Sequence, residues 1–219
     1  AAEKTPARLE AEVLGPDGKT VGASLVVARH AEGLPRAYFP LQATVDDPGI
    51  YTVRTQVRGV AAEMQVEVSA AADVKVIQPG ARMPALASPT VKDPRGVTPI
   101  CTRDPACPLH DVTVAEALAA GSSTALLVAS PAFCQIEICG PVLDVLLDVL
   151  DAFPKVRFLH AEVYANPEKD LETYAPVVDA LGLHFEPCLV LVGPDGSVLD
   201  RVDTIFDRSE LREHLALLP

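Results

Sequence analysis

Two patterns of hydrophobic and polar residues follow each other along the chain. Between Arg8 and Ser69 apolar and polar residues alternate, as at Leu9, Ala11 and Val13, which are separated by glutamates. A period of two is typical of strands with one buried face. No helical stripe of three turns occurs here, so the pattern predicts a small antiparallel β-sandwich. After the first strand, further strands are predicted over residues 21–27, 37–45, 50–57 and 64–68.

The run Asp47-Pro48-Gly49-Ile50-Tyr51 adds a motif to this half. It resembles the tyrosine corner of immunoglobulin-like sandwiches, D-x-G-x-Y. Val53 stands where antibody-type domains have their second disulfide cysteine, so no core disulfide is expected. The resemblance implies an immunoglobulin-like β-sandwich domain over residues 1–72, although ~65 residues is short for seven strands. A β-hairpin with an aspartate turn is the alternative interpretation.

The second pattern begins after a stretch punctuated by prolines and predicts a separate α/β domain over residues 73–219. Apolar runs of five or six residues predict buried strands, and apolar stripes with a period near 3.6 predict amphipathic helices. The predicted order is βαβαββα, with a short helix ahead of it, and implies a central mixed sheet flanked by helices. Helices are predicted over 114–120, 141–153, 171–181 and 208–218, and strands over 124–129, 156–163, 188–192 and 198–202.

This order, with a cysteine motif after the first strand and a proline before the final hairpin, resembles the thioredoxin fold. Measured from the strand, L-L-V-A-S-P-A-F-C places Cys134 at the family's nucleophilic cysteine, and Pro141 matches the proline of its active-site helix. Alternatively, Cys139-Gly140-Pro141-Val142 matches C-G-P-C with Val142 in place of the second cysteine. Both alignments imply a redox dithiol of Cys134 and Cys139. The resemblance also implies that Glu186-Pro187 is a cis-proline site facing the cysteines, with Pro187 aligning the substrate chain.

The spacing of the two cysteines departs from the family. Four residues separate Cys134 from Cys139, whereas thioredoxins have two. Residues five apart on a regular helix are separated by ~7.5 Å along its axis, and a disulfide needs Cα atoms within ~7 Å. The segment must therefore loop or bulge if the pair closes. Gly140-Pro141 places the helix start close to Cys139, and a helix N-terminus stabilises a thiolate. We therefore hypothesise that Cys139 is the more acidic thiol.

Four further residues are candidates for auxiliary roles. Cys101 and Cys107 flank a segment rich in turn residues, which predicts a structural disulfide; the alternative is a second dithiol that passes electrons to the first. Cys188 follows the predicted cis-proline and is interpreted either as a small core residue or as a regulatory thiol. Glu186 is either a proton carrier at the dithiol or a solvated loop residue.

The histidines give a weaker prediction. Copper-delivery relatives of thioredoxin use two cysteines and a histidine, and Cys134, Cys139 and His184 resemble that set. Those relatives, however, have three residues between their cysteines and a histidine nearer the strand. The other histidines, at positions 30, 110, 160 and 214, show no ligand spacing. No bound metal or other cofactor is therefore predicted.

The amino-acid composition restricts the classes of partner that the protein is expected to bind. The chain carries 30 acidic and 18 basic residues, for a net charge of −12. Such a surface disfavours binding to nucleic acid or to anionic lipid, and no apolar run reaches the ~18–20 residues of a membrane helix. Paired cysteines favour an oxidising compartment. We predict an extracytoplasmic thiol–disulfide oxidoreductase that acts on protein thiols or disulfides. The alternative is a non-catalytic binding module with structural disulfides that docks another protein together with its N-terminal domain.

Overall fold

The computed structural model describes residues 5–219 and divides them into two compact units. The first unit contains residues 5–31 and 35–74, and the second contains residues 32–34 and 75–219. Each unit holds one four-stranded sheet, and the helices of at least two turns all lie in the second. The predicted combination of an all-β part with an α/β part is thus present.

The first unit is a single antiparallel sheet with the order β2-β1-β3-β4. Alternate residues of β1, namely Leu9, Ala11 and Val13, are buried, as their spacing predicts. The Tyr51 hydroxyl donates to the carbonyl oxygen of Asp47 at 2.7 Å, four residues earlier in the chain. The strands are β1 (Arg8–Leu14), β2 (Leu25–Ala28), β3 (Gly49–Val57) and β4 (Val60–Val68).

The prediction of a strand over residues 37–45 is wrong. Only an isolated bridge between His30 and Tyr38 forms in this region. Pro40 has no N–H to donate to a ladder, so it breaks the apolar run that suggested a strand. In the described residues of this unit the strands therefore form one sheet rather than two facing sheets.

The second unit is a mixed sheet with helices on both faces. Its sheet order is β6-β5-β7-β8, with β5 and β6 parallel and the remaining pairs antiparallel. All five residues of β5 are buried, as expected for a central strand covered on both sides. The elements are α1 (Val114–Ala119), β5 (Thr124–Val128), α2 (Cys139–Leu147), β6 (Arg157–Ala161), α3 (Pro176–Leu181), β7 (Cys188–Val192), β8 (Val198–Asp203) and α4 (Arg208–Leu215).

The sheet separates two hydrophobic cores. Ala125 and Leu127 of β5 face the core that α2 and α4 cover. Leu126 and Val128 face the opposite core, which α1 and α3 cover. This alternation follows from the period of two in a strand. Because successive residues of a strand face different cores, neighbouring side chains at one strand end lie on different sides of the sheet.

Two helix predictions need correction. Helix α3 begins at Pro176 rather than at Leu171, because the Asp170 carboxylate accepts hydrogen bonds from the backbone N–H groups of Glu172 and Thr173. This turn competes with helix formation. Helix α2 begins two residues earlier than predicted, at Cys139, and ends at Leu147. None of the helices in the described chain is long and apolar enough to cross a membrane.

Candidate functional site

Cys134 and Cys139 meet at the end of the central strand. β5 ends at Val128, a looped segment carries Cys134, and Cys139 is the first residue of α2. Within this segment the backbone N–H of Glu137 bonds the carbonyl of Cys134 at 3.1 Å, and Glu137 has a positive φ of 57°. The turn brings the two Sγ atoms to 2.6 Å from each other. The C-x4-C spacing therefore places the two sulfurs in direct contact, because the intervening residues do not form a regular helix.

The two thiols differ in access. Cys139 is fully buried, whereas Cys134 is 8% exposed and lines a cavity of about 410 Å³. The cavity wall is largely aromatic and aliphatic. Besides Cys134 it includes Ile136, Tyr164, Tyr174, His184, Phe185 and Glu186. A reaction partner in this cavity can reach the sulfur of Cys134, while Cys139 is accessible only from Cys134 and the protein interior.

Glu186 lies beside the buried thiol. Its Oε2 is 3.4 Å from the Sγ of Cys139 and accepts a hydrogen bond from the backbone N–H of Ser130 at 2.8 Å. The Tyr164 hydroxyl lies 3.5 Å from the other carboxyl oxygen. Burial raises the pKa of Glu186 above its ordinary value of 4.5, and burial with the nearby Glu186 carboxylate raises the pKa of Tyr164 to about 12.

The hypothesis that Cys139 is the more acidic thiol is wrong. Burial, followed by the negative charge of Glu186 and the contact with Cys134, raises the pKa of Cys139 well above its usual range. These effects outweigh the helix N-terminus, whose influence is typically below ~1 kcal/mol per charge. Cys139 is thus held as a protonated thiol next to a carboxyl group that can take its proton.

The remaining candidates near the dithiol, Pro187 and Cys188, lie in different environments. The Glu186–Pro187 peptide bond is cis, and Pro187 directly precedes β7. Cys188, the first residue of β7, is fully buried in the core covered by α1 and α3, on the opposite face of the sheet from the dithiol. Its Sγ lies 3.7 Å from Asp203, and burial raises its pKa. This is the environment of a packed core residue rather than of a regulatory thiol.

His184 does not complete a copper site. It is exposed and packs edge-on against the ring of Phe185. The potential ligand atoms that lie within 4.8 Å of one another near the dithiol come from Cys134, Cys139 and Glu186. The third group at the dithiol is therefore a carboxylate rather than an imidazole.

A second cluster lies in the same core and was missed by the sequence analysis. Cys101, Cys107, His110 and His160 are all buried, and one ligand atom of each lies within 4.8 Å of the others. Like Cys134 and Cys139, Cys101 and Cys107 are free thiols in this structure, so the Cys101–Cys107 disulfide stays a prediction. Their sulfurs turn towards the two imidazoles, and the Sγ of Cys107 lies 3.2 Å from Nε2 of His110. His110 and His160, which show no ligand spacing with each other along the chain, are brought into contact by the fold.

One short spacing could have revealed this cluster. Cys107 and His110 are separated by two residues, a spacing common among metal ligands. His160 gives no such signal, because it lies on β6, 50 positions further along the chain. Hydrogen bonds with Cys107, His110 and His160 lower the pKa of Cys101.

The two clusters are connected by a buried glutamate. Glu162 accepts hydrogen bonds from the backbone N–H of Thr102 at 2.6 Å and from the Ser130 hydroxyl at 2.5 Å. The Thr102 hydroxyl in turn lies 3.2 Å from Glu162 and accepts from the N–H of Ala132. Burial raises the pKa of Glu162. Through Ser130, which also bonds Glu186, this glutamate holds the loop that carries Cys134.

Comparisons with known proteins are sparse. No protein-family model matches the chain, and no curated protein matches it. Among solved structures, one similar chain is MTB dsbF in its mixed oxidized and reduced forms. It is 24% identical, covers 49% of this chain and 88% of its own length, and has a TM-score of 0.38.

Proposed function

We propose that the C-terminal unit is a thioredoxin-like domain and that the protein is a thiol–disulfide oxidoreductase. One observation carries the proposal: the accessible sulfur of Cys134 touches the buried sulfur of Cys139, and a carboxylate lies 3.4 Å from the latter. The βαβαββα order and the sheet order β6-β5-β7-β8 support the fold assignment.

Different steps are proposed for the two thiols, because Cys134 lines the cavity and Cys139 is buried. The thiolate of Cys134 attacks a substrate disulfide, forming a mixed disulfide and releasing one substrate sulfur as a thiolate. Cys139 then loses its proton to Glu186 and attacks the Sγ of Cys134. The mixed disulfide breaks, the second substrate sulfur leaves, and the Cys134–Cys139 disulfide forms. The substrate gains the two electrons that the dithiol loses, and the reverse sequence oxidises a substrate dithiol.

The substrates are proposed to be protein thiols or disulfides. The cavity beside Cys134 is broad, and its aromatic and aliphatic wall suits an apolar side chain next to the substrate cysteine. Pro187 follows Glu186 at the edge of this cavity, and by the family resemblance its backbone would align the substrate chain. The reaction uses no bound cofactor.

The N-terminal unit is proposed to be a small relative of immunoglobulin-like domains that contacts a protein partner. The tyrosine-corner hydrogen bond between Tyr51 and Asp47 supports the first part. Three apolar side chains on the last two strands, Ile50, Val60 and Met64, are more than half exposed, which supports the second. We further propose an extracytoplasmic location, because the close pair Cys134 and Cys139 fits an oxidising compartment.

Equilibration of the full chain with glutathione redox buffers tests the function. Each cysteine is followed by mass spectrometry after alkylation. We expect the Cys134–Cys139 pair to form and open reversibly between about −120 and −270 mV, the range of known redox catalysts. A pair that never forms, or one that stays closed below about −300 mV, would contradict the proposal and favour a non-catalytic binding module.

A further inference from the structure

Cys101, Cys107, His110 and His160 converge on one point in the core. The Nδ1 of His160 lies 3.3 Å from the Sγ of Cys107, 3.2 Å from Nε2 of His110 and 3.7 Å from the Sγ of Cys101. All four side chains are at least nine-tenths buried. Burying two imidazoles and two thiols is costly unless their polar atoms have partners within the cluster.

Four of the separations between these ligand atoms match edges of a tetrahedral zinc site. Zinc lies at ~2.3 Å from cysteine sulfur and at ~2.0–2.1 Å from histidine nitrogen. In a tetrahedron these bonds place two nitrogens ~3.4 Å apart and a sulfur and a nitrogen ~3.5 Å apart. The corresponding distances here are 3.2 Å for His160 to His110 and between 3.2 and 3.7 Å for the sulfur–nitrogen contacts.

The protonation of His160 also suits a metal ligand. Its Nε2 lies 2.9 Å from the carbonyl oxygen of Ala129, and a carbonyl can only accept, so Nε2 carries the proton. The Nδ1 lone pair therefore points into the cluster. Metal-bound histidines usually donate their other N–H to a carbonyl or carboxylate, which fixes the ring and its tautomer.

We propose that Cys101, Cys107, His110 and His160 bind a structural zinc ion. When Zn²⁺ binds, the two thiols release their protons, so the ion with two thiolates and two neutral imidazoles has no net charge. A neutral site is compatible with burial in a hydrophobic core. Four protein ligands leave no open position, which is typical of structural rather than catalytic zinc.

The ion would link the long segment before α1 to strand β6. Cys101, Cys107 and His110 belong to that segment, His160 belongs to β6, and the outer partner Ala129 begins the loop that carries Cys134. Thr102, next to Cys101, reaches the same loop through Glu162. The site is distinct from the dithiol and does not depend on the proposed redox function.

Metal binding by the full chain tests this proposal without an activity assay. The chain is purified under reducing conditions without chelators, and its zinc content is measured by mass spectrometry; we expect one equivalent. After removal of the metal, Co²⁺ alone is added as a probe. A tetrahedral site with two thiolates gives intense d–d bands and sulfur-to-cobalt charge-transfer absorption, and Zn²⁺ should displace the cobalt. A weak octahedral spectrum, or no uptake by the reduced chain, would overturn the proposal.

Matched variants locate the ion. His110→Ala and His160→Ala should each weaken zinc affinity at least tenfold, whereas His184→Ala should leave it unchanged. The double variant Cys134→Ser/Cys139→Ser should still bind one equivalent. Zinc that is lost in this double variant but retained in His110→Ala would place the ion at the dithiol and refute the assignment. If the histidine variants do not fold, the cobalt spectra of the unmodified chain and of the double variant still decide whether the ion lies at the dithiol.

Discussion

The carboxylate of the half-buried Glu186 lies beside the buried thiol of Cys139, with Oε2 3.4 Å from Sγ. The pair lies behind Cys134, whose sulfur faces a cavity. A buried thiol reacts only after it loses its proton, and a carboxyl group of raised pKa is suited to receive it near neutral pH. Because Cys134 faces the cavity and Cys139 is buried, the two cysteines are expected to perform different steps. Replacing each cysteine separately tests this.

Replacing each cysteine of the dithiol should give different products. In Cys139→Ser the mixed disulfide between Cys134 and a substrate cannot be resolved, so it should accumulate. In Cys134→Ser no mixed disulfide should form, because Cys139 is buried. Non-reducing mass spectrometry after incubation with a disulfide-bonded protein measures both. Cys188→Ala is the matched control and should react like the unmodified chain; a trapped adduct on Cys139 in Cys134→Ser would reverse the proposed roles.

Glu186→Gln should slow resolution of the mixed disulfide. The amide keeps the size of the side chain but cannot take the Cys139 proton, so the rate should fall on the order of 10²-fold. In the unmodified chain the rate should rise with pH as Glu186 ionises, and this rise should disappear in the variant. Stopped-flow measurement of substrate release across pH 5 to 9 records both effects. The exposed Glu168→Gln is the control, and a pH profile that survives in Glu186→Gln would exclude this role.

Glu186→Gln should raise the stability of the folded chain, although it slows the reaction. The pKa of Glu186 is raised in the folded chain, so the folded state binds more protons than the unfolded state above pH 4.5. Stability is therefore lost as the pH rises from that value through the raised pKa. Because Gln carries no charge, Glu186→Gln should melt at a higher temperature than the unmodified chain at pH 8, and the difference should shrink towards pH 4. Calorimetry at several pH values measures the difference, and an equal or lower melting temperature at pH 8 would contradict this prediction.

His214 should stabilise the fold only in its charged form. Glu210 and Asp200 raise its pKa from 6.5 to about 8, and the closer contact is the 2.5 Å separation between Nδ1 and the Asp200 carboxylate. A raised pKa contributes stability that is fully present below pH 6.5 and is lost as the pH rises through about 8. His214→Gln should therefore reduce the free energy of unfolding by on the order of 1–2 kcal/mol at pH 6 and by much less at pH 9. Urea denaturation at the two pH values checks this, and a loss independent of pH would indicate a packing effect instead.

Glu162→Ala should destabilise the C-terminal unit strongly. The substitution leaves the hydrogen-bonding groups of Thr102 and Ser130 without their buried acceptor. Each such loss costs about 1–3 kcal/mol, so we expect a decrease of about 3 kcal/mol in the free energy of unfolding. Glu213→Ala, at an exposed position of α4, is the control and should change it by less than about 0.5 kcal/mol. A decrease in Glu162→Ala no larger than in the control would show that these contacts contribute little.

Local sequence patterns determined the order of the elements and the position of the dithiol. The apolar run at Thr124–Val128 has the length of a buried strand, and the C-x4-C spacing is too long for a helix that closes a disulfide. Both features depend on neighbours along the chain, so they could be inferred without a fold. The strand predicted over 37–45 does not form for an equally local reason, because Pro40 interrupts the apolar run and has no N–H to donate to a ladder.

Only the tertiary structure decided what surrounds the cysteines. Glu186 reaches Cys139 across 47 positions, and His160 reaches Cys107 across 53. The acidity of Cys139 depends on burial by residues distant in sequence, and this burial outweighed the helix terminus that the sequence suggested. Spacing along a chain reports helical and strand geometry, whereas contacts between separate elements depend on how the sheet and helices pack. The sequence therefore identified the Cys134–Cys139 pair, and the packing placed Glu186 beside it and brought the second cluster together.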